Sequence, residues 1–137
     1  MTGLYAITPD LIDSAALLRK VEAALEGGAR ALQYRNKVAD SALRLEQARG
    51  LARLCRTYHV PLIINDHLDL ALEVDAEGLH IGAEDGSIAE ARRQLGPDRI
   101  LGVSCYRKIE NALEAARMGA SYVAFGGFFP SSVKGGS

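Results

Sequence analysis

Residues 60–82 read VPLIINDHLDLALEVDAEGLHIG, and their pattern decides the fold. Val60 to Asn65 is a short apolar, β-branched run of the kind that forms a buried strand, and Glu77 to Gly82 is another. Between them a short helix is expected to start near His67. A strand, a helix and a strand in immediate succession form a βα unit with parallel strands. The same alternation extends outward to both ends of the chain. Gly3 to Thr8, Ala29 to Arg35, Ile100 to Ser104 and Ser121 to Gly126 are the further candidate strands, six in all.

The intervening stretches carry helical periodicity. From Asp13, Leu17, Val21, Ala24 and Leu25 share one face, and Gly27-Gly28 supplies a glycine able to take the left-handed conformation that ends a helix. A second helix is expected from about Asp40 to Tyr58, with Leu43, Leu51, Leu54, Cys55 and Tyr58 on its buried stripe. Arg44, Arg49, Arg53 and Arg56 then fall on its solvated face. Ser87-Ile88-Ala89-Glu90 forms a capping box for a fourth helix ending at Gly96-Pro97, and a fifth is expected over Arg107 to Met118. Strand spacing varies too much for a solenoid repeat, and no linker or shift in composition divides the chain, so one domain over 1–137 is expected.

Composition narrows the function classes. In 137 residues, 48% are hydrophobic and 24% charged, the make-up of an ordinary soluble globular protein. Sixteen Lys+Arg against seventeen Asp+Glu leave a net charge of -1, so the basic field that holds nucleic acid or anionic membrane is absent. No apolar run nears the roughly 18 residues that span a bilayer, and the N-terminus has no signal-peptide pattern, which points to a cytoplasmic protein. Cys55 and Cys105 are too few and too far apart for a disulfide framework or a zinc site and are read as reduced packing residues.

Unusual polar residues cluster at strand carboxyl ends, the edge where parallel α/β folds bind ligands. Gln33, Arg35 and Lys37 alternate at i, i+2 and i+4 and in an extended chain project from one face. Asn65-Asp66 follows the third strand and Glu84-Asp85 the fourth; carboxylates from adjacent strand ends beside basic groups suit Mg²⁺ completed by substrate phosphate oxygens. Taken alone, Asp66 would read simply as the N-cap of the third helix. Ser104 ends the fifth strand, and Ser131, Ser132 and Lys134 follow the sixth beside Gly126-Gly127, a set of donors able to cradle phosphate. His80 lies within its strand, as a hydrogen-bonded interior histidine or a substrate contact. No Ser/His/Asp or Cys/His arrangement points to covalent catalysis. The chemistry expected is Mg²⁺-assisted reaction of a phosphate or diphosphate ester.

At these residues the chain resembles the thiamine phosphate synthase (thiamine phosphate pyrophosphorylase) family. LYAIT, ALQYRNK, INDHLDLALEVDAEGLHIGAED, ILGVSCY and GASYVAFGGFFPSSVK occur in family order and span nearly the whole chain. The resemblance implies a (β/α)8 TIM barrel, and a transferase that joins hydroxymethylpyrimidine diphosphate to thiazole phosphate by Mg²⁺-assisted dissociative substitution, giving thiamine phosphate and pyrophosphate. By motif, Arg35, Lys37, Asn65, Ser104 and Lys134 would grip the diphosphate, Asp66 and Asp85 would hold Mg²⁺, and Gln33 would contact the pyrimidine; Ser131 is expected as a further substrate-binding residue, and Arg35, Lys37, Ser104 and Lys134 as the catalytic set. The alternatives are a thiazole tautomerase-like relative on the same barrel or a non-catalytic phosphate-binding fragment. Against the family pattern, Asn36 replaces an acidic residue and Val133 a hydroxyl; Asn36 alternates away from Arg35 and Lys37, so its effect is expected to be indirect. A complete barrel needs at least about 200 residues, so an incomplete barrel of about six βα units is expected. Strands seven and eight, with the glycine-rich thiazole-phosphate loops, would be absent, and the open edges of strands one and six would favour a homo-oligomer.

Overall fold

A computed structural model of the chain describes residues 4–82, 88–104 and 122–124. The described strands are β1 (Leu4–Ile7), β2 (Ala29–Tyr34), β3 (Leu62–Asn65), β4 (Gly78–Gly82), β5 (Ile100–Ser104) and β6 (Tyr122–Ala124). The described helices are α1 (Ser14–Glu26), α2 (Ser41–Tyr58), α3 (Leu68–Glu73) and α4 (Ile88–Leu95). Each strand pairs in parallel with its predecessor, giving one sheet in sequence order from β1 to β6. The order never reverses, so the sheet has no doubly wound switch point and is that of a barrel built up unit by unit. The helix expected over Arg107–Met118, the capping-box residue Ser87 and Cys105 lie outside the described residues. Among the described residues no helix is long and apolar enough to cross a membrane.

Strand parity divides the interior into two layers. Leu32 and Tyr34 of β2, Leu62 and Ile64 of β3, Leu79 of β4, and Leu101 and Val103 of β5 pack in one cluster with Leu17, Val21 and Leu25 of α1 and Ala48, Leu51 and Cys55 of α2. Residues of the other parity, Ala31, Gln33 and Ile63, are buried outside that cluster, on the opposite face of the sheet. The described helices pack against one face, as right-handed crossovers in one winding direction require.

The helix ends follow from local chemistry. The Asp13 carboxylate accepts from the Ala16 N–H at 3.1 Å and the Asp40 carboxylate from the Leu43 N–H at 2.8 Å, so each satisfies a first-turn donor. Gly27 closes α1 in an ordinary right-handed conformation, and the left-handed residue is Gly28, with φ 102°. The buried stripe of α2 is rotated from the expected one. Gln47, Ala48, Gly50, Leu51, Ala52 and Cys55 are buried, whereas Leu43, Leu54 and Tyr58 are only partly covered. The reason is size: the small side chains of Ala48, Gly50 and Ala52 allow close approach, with Leu18 of α1 seated against Gly50.

Gly78 sits at a close approach between β4 and its neighbours. A β-carbon there would lie 2.7 Å from the Ile100 carbonyl oxygen and 2.8 Å from both Ile100 Cβ and Ile63 Cδ1. Gly78→Ala is therefore expected to lower stability by about 1–3 kcal/mol through overpacking against backbone, read as a lower urea midpoint at unchanged slope; an unchanged midpoint refutes this packing.

Candidate active site

Arg35 and Lys37 stand beyond the last residue of β2, where the chain turns toward α2, and two side chains from the β1–α1 loop place them. Arg35 N–H donates to Thr8 Oγ1 at 3.0 Å, and that hydroxyl donates to the Arg35 carbonyl at 3.1 Å. Lys37 N–H donates to Asp10 Oδ1 at 3.0 Å. One strand further along, Asn65 ends β3 and Asp66 follows with φ 71°. Asp66 N–H donates to the His80 carbonyl at 2.8 Å, and His67 N–H donates to the Asn65 carbonyl at 2.9 Å. An i to i+2 bond around a residue of positive φ is the rare and strained form of γ-turn. Such strain persists where surrounding structure holds it, and it clusters at functional sites. The helix that follows takes His67 as its N-cap, with no side-chain capping bond, so Asp66 is not the cap that its position alone allowed.

These residues meet in a cavity of about 180 Å³ lined by Tyr34, Arg35, Asn36, Lys37, Arg44, Asn65, Asp66 and His67. Among the described residues three cationic side chains and one carboxylate line it, an excess of positive charge. Of the expected site residues it gathers Arg35, Lys37, Asn65 and Asp66. Gln33 does not line it: that side chain is buried on the sheet's other layer, with Nε2 donating to Tyr5 Oη at 2.9 Å. Strand β2 ends at Tyr34, so the strict alternation that would align Gln33 with Arg35 and Lys37 stops there. Ser104 lies at the end of β5, its Oγ 2.6 Å from His80 Nε2. Asp85, Ser131 and Lys134 lie outside the described residues.

Arg44 is a correction to the solvated face expected of α2. It lines the cavity and its Nη1 donates to the Ala39 carbonyl at 2.7 Å. Helical side chains lean back toward the N-terminus, so an arginine in the first turn of α2 reaches over the loop that precedes it. Arg49, by contrast, is exposed and pairs with Glu73 at 3.1 Å. His67 escaped the sequence reading as a site residue because its only signal was adjacency to Asp66.

The site keeps its histidines neutral. Burial lowers His80 to about 4 from an ordinary value near 6.5, with Arg35 adding to the effect and Asp66 opposing it. Partial burial and Arg44 likewise hold His67 below the usual imidazole range, against Asp66. The described basic charge of the cavity is thus carried by Arg35, Lys37 and Arg44.

Residues 4–137 match the family model described as Thiamine monophosphate synthase. The chain belongs to this family. It is 58% identical over 132 residues to the thiamine-phosphate synthase of Janthinobacterium sp. (strain Marseille), covering 96% of this chain and 64% of that protein. The thiamine-phosphate synthase of Nitrosospira multiformis is 56% identical over 134 residues, 98% of this chain and 57% of its own length. The chain therefore spans less than two thirds of these relatives. The solved thiamine phosphate pyrophosphorylase of Pyrococcus furiosus superposes with a TM-score of 0.76 at 38% identity, over 96% of this chain and 64% of that one. An N-acetylneuraminate lyase from Fusobacterium nucleatum, at 14% identity and TM-score 0.67, shares the fold alone. The thiamine monophosphate synthase family and the TIM-barrel class of fold, both expected from the sequence, are thus established.

The γ-turn can be tested directly. At positive φ a β-carbon costs about 1–2 kcal/mol, partly offset by the roughly 0.5–1 kcal/mol of extra chain entropy that glycine loses on folding. Asp66→Gly should consequently be more stable than Asp66→Ala by up to about 1 kcal/mol in denaturant titrations; the reverse order would dismiss strain at Asp66. His80 gives a pH signature. Its folded value lies below its unfolded one, so the unfolded chain binds the extra proton between pH 6.5 and about 4. The stabilisation is complete above pH 6.5 and fades as pH falls to about 4, up to about 3 kcal/mol in all. Denaturation of the parent protein should lose this component across that range and His80→Asn should not; equal pH slopes in the two proteins would exclude it.

Proposed function

We propose that the protein acts as a thiamine-phosphate synthase, a transferase that joins hydroxymethylpyrimidine diphosphate to thiazole phosphate and releases pyrophosphate. The cavity where Arg35, Lys37 and Arg44 meet Asn65 and Asp66 carries this assignment, because it offers fixed cations and amide donors to a small polyanion at the carboxyl edge of the sheet. Family membership supports this reading of the substrate class. Arg35 and Lys37 bind the diphosphate, with Arg44 as a third cation from α2, and Ser104, Ser131 and Lys134 complete the grip. Gln33 contacts the pyrimidine from the neighbouring layer.

As the bond from the pyrimidine methylene carbon to the diphosphate oxygen breaks, its electron pair leaves with the diphosphate. The growing negative charge is met by cations already in place, which favours the transition state over the ground state. The thiazole nitrogen then forms the new C–N bond to the pyrimidine carbocation. No step requires a general base, because the thiazole nitrogen attacks through its lone pair and carries no proton to be removed. Asp66 and Asn65 are hard oxygen donors, and no group of three His, Cys, Asp or Glu residues suited to a metal occurs among the described residues. That set fits Mg²⁺, which takes one or two protein carboxylates and relies on substrate phosphate oxygens and water for the rest. Asp66 would hold it, together with Asp85. When bound, the ion neutralises charge on the departing diphosphate.

Calorimetric titration with the pyrimidine diphosphate tests this. Binding should strengthen with Mg²⁺, weaken by about 10–100-fold in Arg35→Ala, where one charge-assisted contact is lost, and lose its Mg²⁺ dependence in Asp66→Asn. A folded protein whose affinity is indifferent to Mg²⁺ and to Arg35→Ala would rule the assignment out.

A further inference from the structure

One deeply buried, fully hydrogen-bonded amide lies outside the lining of the cavity. Gln47, in the second turn of α2, is 1% exposed. Its Oε1 accepts from Tyr34 Oη at 2.6 Å and from Asn36 Nδ2 at 2.9 Å, and its Nε2 donates to the Leu11 carbonyl at 3.0 Å. Asn36 Nδ2 also donates to the Leu11 carbonyl, at 2.8 Å, while Asn36 Oδ1 accepts from the N–H groups of Val38 and Ala39 at 3.0 and 3.2 Å. Backbone groups fix both amide orientations. The N–H groups of Val38 and Ala39 can only donate, so Asn36 Oδ1 must face them; the Leu11 carbonyl can only accept, so Gln47 Nε2 must face it. Gln47 Oε1 is then the one acceptor left for Tyr34 and Asn36.

One side chain therefore joins the end of β2, the loop that carries Arg35 and Lys37, and the β1–α1 loop that holds the backbone of both through Thr8 and Asp10. We propose that Gln47 is a positioning residue: through Asn36 and Leu11 it locks these two loops together and so sets where Arg35 and Lys37 present their charges to the diphosphate. This rests on the anion-binding role assigned to the cavity above. Cations left loose by about an ångström lose much of their value to a fixed polyanion.

The test uses Gln47→Leu, which nearly keeps the volume and removes every hydrogen bond of the side chain, with inorganic pyrophosphate plus Mg²⁺ as the probe and amide hydrogen exchange of residues 35–39 as a second readout. Val21→Ala in α1 serves as a control that loses stability away from these loops. Gln47→Leu is expected to bind pyrophosphate at least about tenfold more weakly and to exchange faster at Arg35, Lys37, Val38 and Ala39, while the control stays within about twofold of the parent in affinity. Unchanged affinity in folded Gln47→Leu overturns the proposal, whatever the exchange rates. If Gln47→Leu does not fold, Gln47→Glu, which keeps the acceptor for Tyr34 and Asn36 but loses the donor to Leu11, is read by the same criteria. Should the parent protein itself fail to bind pyrophosphate, the anion-site reading fails, and exchange alone decides whether Gln47 locks the loops: unchanged protection at 35–39 overturns that as well.

Discussion

A parallel strand cannot return to its sheet without a crossover, and in this chain every crossover sets the next strand beside the last in the same direction. Everything else follows from that constraint. All helices must lie on one face, all carboxyl ends must lie along one edge, and the loops leaving adjacent strands must be neighbours. Residues 35–37 and 65–67, about thirty positions apart in sequence, thereby share a cavity without any contact having been specified between them.

The same constraint creates a problem at that edge. Loops leaving parallel strands carry N–H and C=O groups with no ladder to join, and buried backbone groups must be paired. Here the pairing is done by side chains: Thr8 serves both backbone groups of Arg35, Asp10 takes the N–H of Lys37, and Asn36 takes those of Val38 and Ala39. At β3 the solution is different and costs conformational energy, since Asp66 closes the edge in a γ-turn of positive φ. Polar residues that look like surface decoration in a linear reading are therefore what holds the site in shape.

Electrostatics completes the picture. Burial holds His80 in its neutral form, and partial burial together with Arg44 shifts His67 the same way, so the cavity's permanent charges are guanidinium and ammonium groups opposed by Asp66. An excess of cationic over acidic side chains suits a site whose task is to hold an anion rather than to move protons. Tyr34 stays protonated as well, its hydroxyl pushed up to about 12 by burial, and so remains a donor to Gln47.

What the sequence by itself determined is the alternation of strands and helices, the family, and the positions of Arg35, Lys37, Asn65 and Asp66 at strand ends, because these depend on local periodicity and on motifs contiguous in the chain. It also held an unread signal: in the row Leu43, Gln47, Leu51 and Cys55, spaced by four along α2, a single amide interrupts an apolar stripe. Only the tertiary structure decided that Arg44 turns into the cavity, that Gln33 belongs to the other layer with Tyr5, and that Gln47 joins two loops. Those outcomes depend on how closely α2 packs, on where β2 stops and on which backbone groups are left without partners. Each is settled by atoms far apart in sequence, and no periodicity along the chain encodes it.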